Sequence, residues 1–261
     1  MRKREVNLPD TILFDMGGTI EDIWYNEETA AAVIVEIRGL LSRNGLETDC
    51  NSDEFQKRLH RGVDSYKKWS QSVMLEKKPE EIWPDYYLRE FGFPRERIIP
   101  IAEALAQTWE TVYYHREMRP KVKETLEALH QRGYKLGVIS NTASLYSVFN
   151  VLEQYGIRDY FLDVTLSSTT GYRKPHPSIF EISLRQMQSR PEQCVYVGDT
   201  VSRDVIGSKK AGFAQAVQIC SFMTEVSDSK ASAGACAPDR IIYSMEELIP
   251  YLDQLQSTER T

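Results

Sequence analysis

Thr11-Ile-Leu-Phe-Asp15-Met-Gly-Gly-Thr-Ile20 is the stretch on which the fold turns. Its apolar run, Ile12-Leu13-Phe14, stops at a single carboxylate, Asp15, and Gly17-Gly18 follow at once. A short apolar run closed by glycine predicts a buried parallel strand that ends abruptly in a loop. In open α/β sheets, sites form beyond the carboxyl ends of the strands, which puts Asp15 within reach of a ligand. Glycines at 17 and 18 carry no Cβ, so the backbone there can approach a phosphate or a metal closely. The same residues also fit a plain strand whose Asp caps a helix, and only the downstream sequence separates the two readings.

Beyond this stretch, from about residue 27 to 115, the pattern is helical. Residues 29–43 read as an amphipathic helix stopped by Asn44-Gly45, and Asn51-Ser52-Asp53-Glu54 reads as the start of a second. Pro79, Pro84 and Pro94 punctuate an aromatic-rich stretch with Trp83, Tyr86, Tyr87, Phe91 and Phe93, of which the first four are expected to be core of this segment rather than a substrate clamp. A further helix spans 100–113. No strand-like alternation interrupts these residues, which predicts a helical module inserted after the first strand and acting as a lid. From Arg119 the texture changes to alternating strands and helices. Strands are predicted at 134–140, 161–166, 194–199, 214–219 and 240–243, with helices between them. Such alternation implies a parallel sheet covered by helices on both faces. Residues 227–239, rich in small polar side chains, read as a loop.

Bulk properties narrow the class. Of 261 residues, 41% are hydrophobic and 27% charged, which suits a globular protein with an ample core. The net charge of −6 gives no electrostatic reason to expect nucleic acid or an anionic membrane as partner, so any phosphate must bind through a local site. Cys50, Cys194, Cys220 and Cys236 lie far apart with no CxxC pair, which argues against zinc and for reduced thiols. The N-terminal MRKREVNLPD lacks the apolar core of a signal peptide, and no later run reaches membrane-spanning length. The expectation is a soluble cytoplasmic protein, a monomer or homodimer.

The predicted strand ends carry polar residues in order: Asp15, Ser140-Asn141, Lys174 in the loop after the third core strand, and Asp199, with Asp204 following in GDTVSRD. Each has an ordinary explanation alone: Ser140 as a helix cap, Lys174 as a solvated loop residue, Asp204 as an exposed helix residue. Together they form a pattern that resembles the haloacid dehalogenase superfamily of phosphohydrolases. FDMGGTI resembles its first motif, VISN the second, RKP with Lys174 the third and GDTVSRD the fourth. The resemblance covers 11–252, and the helical insert resembles the lid of the superfamily's first subclass.

That resemblance implies a Rossmann-like α/β core (1–21 and 119–261), a helical cap (22–118), Mg²⁺ as cofactor and a small phosphorylated metabolite as substrate. It implies an aspartyl-phosphate on Asp15, with Asp15, Asp199 and the Gly17 carbonyl as metal ligands. Asp204 either joins them or orients them. Lys174 sets a point charge near the phosphoryl oxygens and holds Asp15; Ser140, Asn141 and Gly18 bind phosphate. The chemistry agrees: an anionic nucleophile attacks an anionic group only if a hard cation and fixed donors offset the repulsion. One position departs from the pattern. Most phosphatases of the superfamily carry a general acid–base Asp two residues after the nucleophile, where this chain has Gly17. Three consequences compete: a substrate with a good leaving group, a substitute among Glu21, Asp22, His60 and His115, or a weakly catalytic phospholigand-binding or regulatory protein. Phosphonate hydrolases of the superfamily have a small residue here and a cap lysine; Lys57 lies in the right region, though its neighbours do not match. The metal-free dehalogenases are disfavoured by Asp199.

Overall fold

The computed structural model describes residues 8–222, 224 and 236–258. Residues 1–7 and the 227–235 part of the expected polar loop lie outside them. The described residues form eight strands: β1 (Thr11–Phe14), β2 (Glu21–Trp24), β3 (His115–Met118), β4 (Lys135–Ser140), β5 (Asp163–Leu166), β6 (Cys194–Gly198), β7 (Gln215–Ile219) and β8 (Arg240–Ile242). Six of them form one sheet in the order β5-β4-β1-β6-β7-β8, every neighbouring pair parallel. This is the expected α/β architecture.

β1 sits in the middle, and all its residues are buried. Side chains alternate across a strand, so both faces of β1 need cover. Ile12 and Phe14 pack with Val122, Leu126, Leu248 and Leu252 on one face. Leu13 packs with Ile139, Phe180, Leu184 and Tyr196 on the other. This two-sided burial explains why β1 and β6 read as nearly continuous apolar runs. Phe14 pairs with Val138 of β4 and Val197 of β6, so the chain leaves all three strands at one edge. That edge carries Asp15, Ser140 and Asp199.

Between β2 and β3 the elements are helical, beginning with α1 (Glu27–Arg43) and α2 (Ser52–Val73). Asn26 and Asn51 cap them, each side chain accepting from the amide three residues on. The insert has its own core, in which Val33, Ile37, Phe55, Leu59, Trp83 and Trp109 meet. Trp83 and Tyr87 are buried there and Tyr86 and Phe91 pack against it, as the sequence led one to expect.

β2 and β3 themselves were not expected. They pair antiparallel, Glu21 opposite Met118 through Trp24 opposite His115, and close the stem of the insert. Their sequences, EDIW and HREM, lack apolar alternation: the buried Glu21 is held by an ion pair with Arg116, and Met118 packs against the main core. The helix expected from 201 starts as a π-helical turn, Val201–Val205, and continues as Ile206–Lys210. No helix among the described residues is long and apolar enough to cross a membrane. All four cysteines are free.

Candidate active site

At the carboxyl edge of the sheet, Asp15 follows β1, Asp199 follows β6, and Asp204 lies in the turn after it. All three are buried, and one carboxylate oxygen of each falls within 4.8 Å of the others. Like charges at that separation repel strongly unless cations intervene. Lys174 intervenes: it is 3% exposed, and its Nζ lies 2.7 Å from both Asp15 Oδ1 and Asp204 Oδ1. The solvated-loop explanation for this lysine is therefore excluded. Tyr196 on β6 accepts from the same Nζ at 2.9 Å.

The loops hold these groups rigidly. Asn141 grips the backbone of Lys174, its Oδ1 accepting from the Lys174 N–H at 2.8 Å and its Nδ2 donating to the Lys174 carbonyl at 3.1 Å. The Asn141 side chain is thus committed to the lysine. Asp15 Oδ1 accepts from the Met16 N–H at 2.7 Å. Asp204 is saturated: besides Lys174, its Oδ2 accepts from the Thr200 N–H at 3.0 Å and the Thr200 hydroxyl at 2.6 Å. Ser140, the last residue of β4, is buried at the same edge.

Asp199 differs. Its Oδ2 accepts from Ser221 Oγ at 2.7 Å, while its Oδ1 is buried with no hydrogen-bond partner among the described residues. Among the described residues Arg203 is the cation paired with that oxygen, at 4.0 Å. Burial, then repulsion from Asp204, push the Asp199 carboxyl up to about 7. Burial raises Asp15 as well, against the pull of Lys174. For Asp204 burial is outweighed by Lys174, Arg203 and the Thr200 bonds, and its carboxyl is held low. A buried carboxylate oxygen that accepts no hydrogen bond among the described residues, beside two further carboxylates, belongs to a donor set that suits a hard divalent cation.

Gly17 and Gly18 occupy different surroundings. Gly18 has φ +83°, and a Cβ there would come within 2.1 Å of Asp199 Oδ2, so only glycine fits. Its N–H donates to the Glu21 carbonyl at 2.8 Å. At Gly17 a Cβ would meet Ile23 Cδ1 at 2.9 Å. The space an acid–base side chain would enter is thus narrowed by a residue of β2.

The four possible substitutes lie apart from this network. Glu21 is buried against Arg116 at 2.6 Å and Tyr155 at 3.1 Å, its carboxyl pushed up by burial. Asp22 is half exposed and 2.8 Å from Arg119. His115 is exposed and stacks on Trp24, and His60 meets the rings of Trp109 and Tyr113 edge-on within the insert. None of the four hydrogen-bonds to Asp15, Lys174, Asp199 or Asp204 among the described contacts. Lys57 is exposed on α2.

Several participants escaped the sequence reading. Tyr196, Ser221 and Arg203 touch the charged cluster, yet a tyrosine in an apolar strand and a serine after one carry no distinctive signal. The places of Arg203 and Ser221, just beyond β6 and β7, are the clue that was available, whereas Tyr196 lies inside β6.

A family description, haloacid dehalogenase-like hydrolase, matches residues 9–212. The glyceraldehyde 3-phosphate phosphatase of Methanopyrus kandleri is 30% identical over 168 residues, 64% of this chain and 67% of that protein. A phosphoglycolate phosphatase of Vibrio vulnificus is 40% identical over 95 residues, 36% of this chain and 41% of that protein. The crystal structure of a 2-haloacid dehalogenase from Pseudomonas syringae pv. Tomato superposes with a TM-score of 0.65 at 19% identity, covering 95% of this chain and 99% of that one. At that identity the likeness is one of fold.

Proposed function

The chain belongs to the haloacid dehalogenase-like hydrolases, and on that premise we propose that it is a Mg²⁺-dependent phosphatase of small phosphorylated metabolites, with Asp15 as nucleophile. The observation that carries this reading is the buried Asp199 Oδ1, which accepts no hydrogen bond among the described residues, beside a lysine-held Asp15. The phosphatase names of the relatives point the same way. In this reading residues 22–118 form a cap over a core of 1–21 and 119–261.

Asp15, Asp199 and the Gly17 carbonyl would hold the ion, and Asp204, saturated by Lys174 and Thr200, orients the lysine from behind. When bound, Mg²⁺ supplies positive charge that offsets repulsion between substrate and carboxylates. Lys174 neutralises Asp15 before attack and meets charge building on the phosphoryl oxygens during it. Ser140 Oγ and the Asn141 N–H would donate to those oxygens, since the Thr142 N–H is taken by Ser167. An Asp15 oxygen forms a bond to phosphorus as the ester P–O bond breaks, and the leaving oxygen takes its proton from solvent because no side chain stands at Gly17. Water then attacks the aspartyl-phosphate, loses a proton, and releases phosphate with Asp15 restored.

A second reading, a weakly catalytic phospholigand-binding protein, draws on Ile23 crowding the Gly17 space. A panel of phosphorylated metabolites assayed for phosphate release with Mg²⁺ and with EDTA separates the two. Mg²⁺-dependent release supports the enzyme; tight binding of the panel without release overturns it.

A further inference from the structure

We propose that Glu76, in the helical insert, is a positioning residue for the two loops that carry Ser140-Asn141 and Lys174. The assignment rests on the phosphatase reading for its catalytic consequence, though not for its geometry.

Glu76 lies just beyond α2, where the chain turns through Met74 at φ 55° and runs antiparallel to the loop ahead of Lys174. Leu75 bridges to Tyr172, the Glu76 N–H donates to the Gly171 carbonyl at 2.9 Å, and the Arg173 N–H donates to the Met74 carbonyl at 3.0 Å. Main-chain hydrogen bonds thus join insert and core through residues other than those of the β2–β3 stem.

The side chain reaches further. It is fully buried, and its Oε1 accepts from Tyr66 OH, which itself accepts from the Lys77 N–H at 2.9 Å. Its Oε2 accepts from Ser167 Oγ at 2.8 Å and from the Arg173 guanidinium. Each of those partners leads to the site. Arg173 directly precedes Lys174. Ser167 Oγ accepts from the Thr142 N–H at 3.0 Å, two residues after Ser140. One carboxylate oxygen therefore ties the lysine loop to the serine loop, from a residue that belongs to neither.

A buried carboxylate is a costly way to join two surfaces, because desolvating it opposes folding and an apolar contact would stabilise as well. What a carboxylate adds is direction: its lone pairs accept only where the donors stand, which fixes the separation of the loops. Glu103 and Glu110 of the insert extend the same pattern. Glu103 accepts from Ser144 Oγ at 2.6 Å and the Leu145 N–H at 2.9 Å, and Glu110 accepts from Thr142 Oγ1 at 3.3 Å. Docking of the insert and ordering of the phosphate-facing loops become one event.

The test compares the wild type with Glu76→Gln, Arg173→Met, Arg173→Lys and the Glu76→Gln/Arg173→Met double variant. Hydrogen exchange at the Thr142 and Lys174 amides is read first, and it needs no turnover. In Glu76→Gln both amides should exchange about 10-fold faster or more, while β1 and β6 amides keep their protection. Unchanged exchange at Thr142 and Lys174 overturns the proposal, whether or not the protein is a phosphatase. With p-nitrophenyl phosphate and Mg²⁺, kcat of Glu76→Gln should fall by about 10²-fold, the usual effect of a small misplacement, with a much smaller change in KM. The double variant should be no slower than the worse single one, because both break one linkage. Arg173→Lys should recover part of what Arg173→Met loses. A lower melting temperature with wild-type kcat in the folded fraction would mean that Glu76 only stabilises, and would overturn the proposal. A wild type that releases no phosphate refutes the proposed activity alone, and the exchange result still decides the role of Glu76.

Discussion

Gly17→Asp tests what the missing acid costs, and the structure sets its magnitude. A Cβ at Gly17 meets Ile23 Cδ1 at 2.9 Å, whereas the next nearest carbons of Ile23 are at 3.8 Å. Gly17 is absent from the positive-φ residues, so the backbone itself accepts a side chain. The strain is therefore one methyl at the end of a flexible, half-buried side chain. Overpacking costs typically 1–3 kcal/mol, and about 1 kcal/mol is expected here because that methyl can turn away. For a chain of this size that is a drop of roughly 2–4 °C in Tm. Ile23→Val deletes Cδ1 alone, so in the Gly17→Asp background it should return most of the loss. Activity should follow the same order. General acid–base help is worth about 10²–10⁴-fold, and the low end is expected in surroundings not built around a carboxyl. The Gly17→Asp/Ile23→Val variant should hydrolyse glycerol phosphate about 10²-fold faster than the wild type. Gly17→Asp alone should gain less, and p-nitrophenyl phosphate, whose leaving group departs unaided, should gain least. Phosphate release with Mg²⁺ and a thermal melt on each variant suffice as assays. A double variant with normal Tm and no gain on the alkyl ester refutes the idea that an absent acid limits turnover.

Gly18→Ala should abolish metal-dependent activity, because its Cβ would stand 2.1 Å from Asp199 Oδ2 at φ +83°; calorimetric Mg²⁺ binding equal to wild type would contradict this. In the metal-free protein the Asp199 carboxyl, raised from 3.8 to about 7, keeps a proton that the unfolded chain has lost, so this group's stabilisation fades as pH rises through that window. Mg²⁺ must displace that proton, so the rise in Tm on adding Mg²⁺ should be larger above about pH 7 than below it; a Mg²⁺ effect that shrinks with rising pH would refute the assignment. Closure of the insert over the site predicts slower hydrogen exchange at the β2–β3 stem when a metal fluoride is bound with Mg²⁺; equal exchange in both states would remove the lid.

How much of this was legible in the sequence depends on how local the signal is. β1, β4 and β6 announced themselves because burial on both faces forces apolar runs, and the abrupt polar residue after each marked the edge that carries Asp15, Ser140 and Asp199. The α2 start was readable from Asn51, whose cap acts within one turn, whereas α1 begins at Glu27 behind an Asn26 cap, two residues ahead of the expected Thr29. The β2–β3 ribbon was not, since two four-residue strands that find each other only across the whole insert are too short to leave a periodicity. Lys174 could be picked out but not placed: its burial depends on Asn141, Tyr196 and Asp204 arriving from three other segments. Glu76 was invisible, because a glutamate after a helix looks solvated until Ser167 and Arg173 are brought to it. Ile23 at Gly17 is the same case in apolar form.

The most direct measurement is acid quench of the enzyme during turnover with Mg²⁺ and p-nitrophenyl phosphate, followed by mass spectrometry of the peptide that contains Asp15. A phosphoryl adduct on Asp15 is predicted, formed only with Mg²⁺ and strengthened if water attack is slow without a base at Gly17. Asp15→Asn should show neither adduct nor phosphate release. Turnover retained by Asp15→Asn, or an adduct that maps to another residue, would contradict the account.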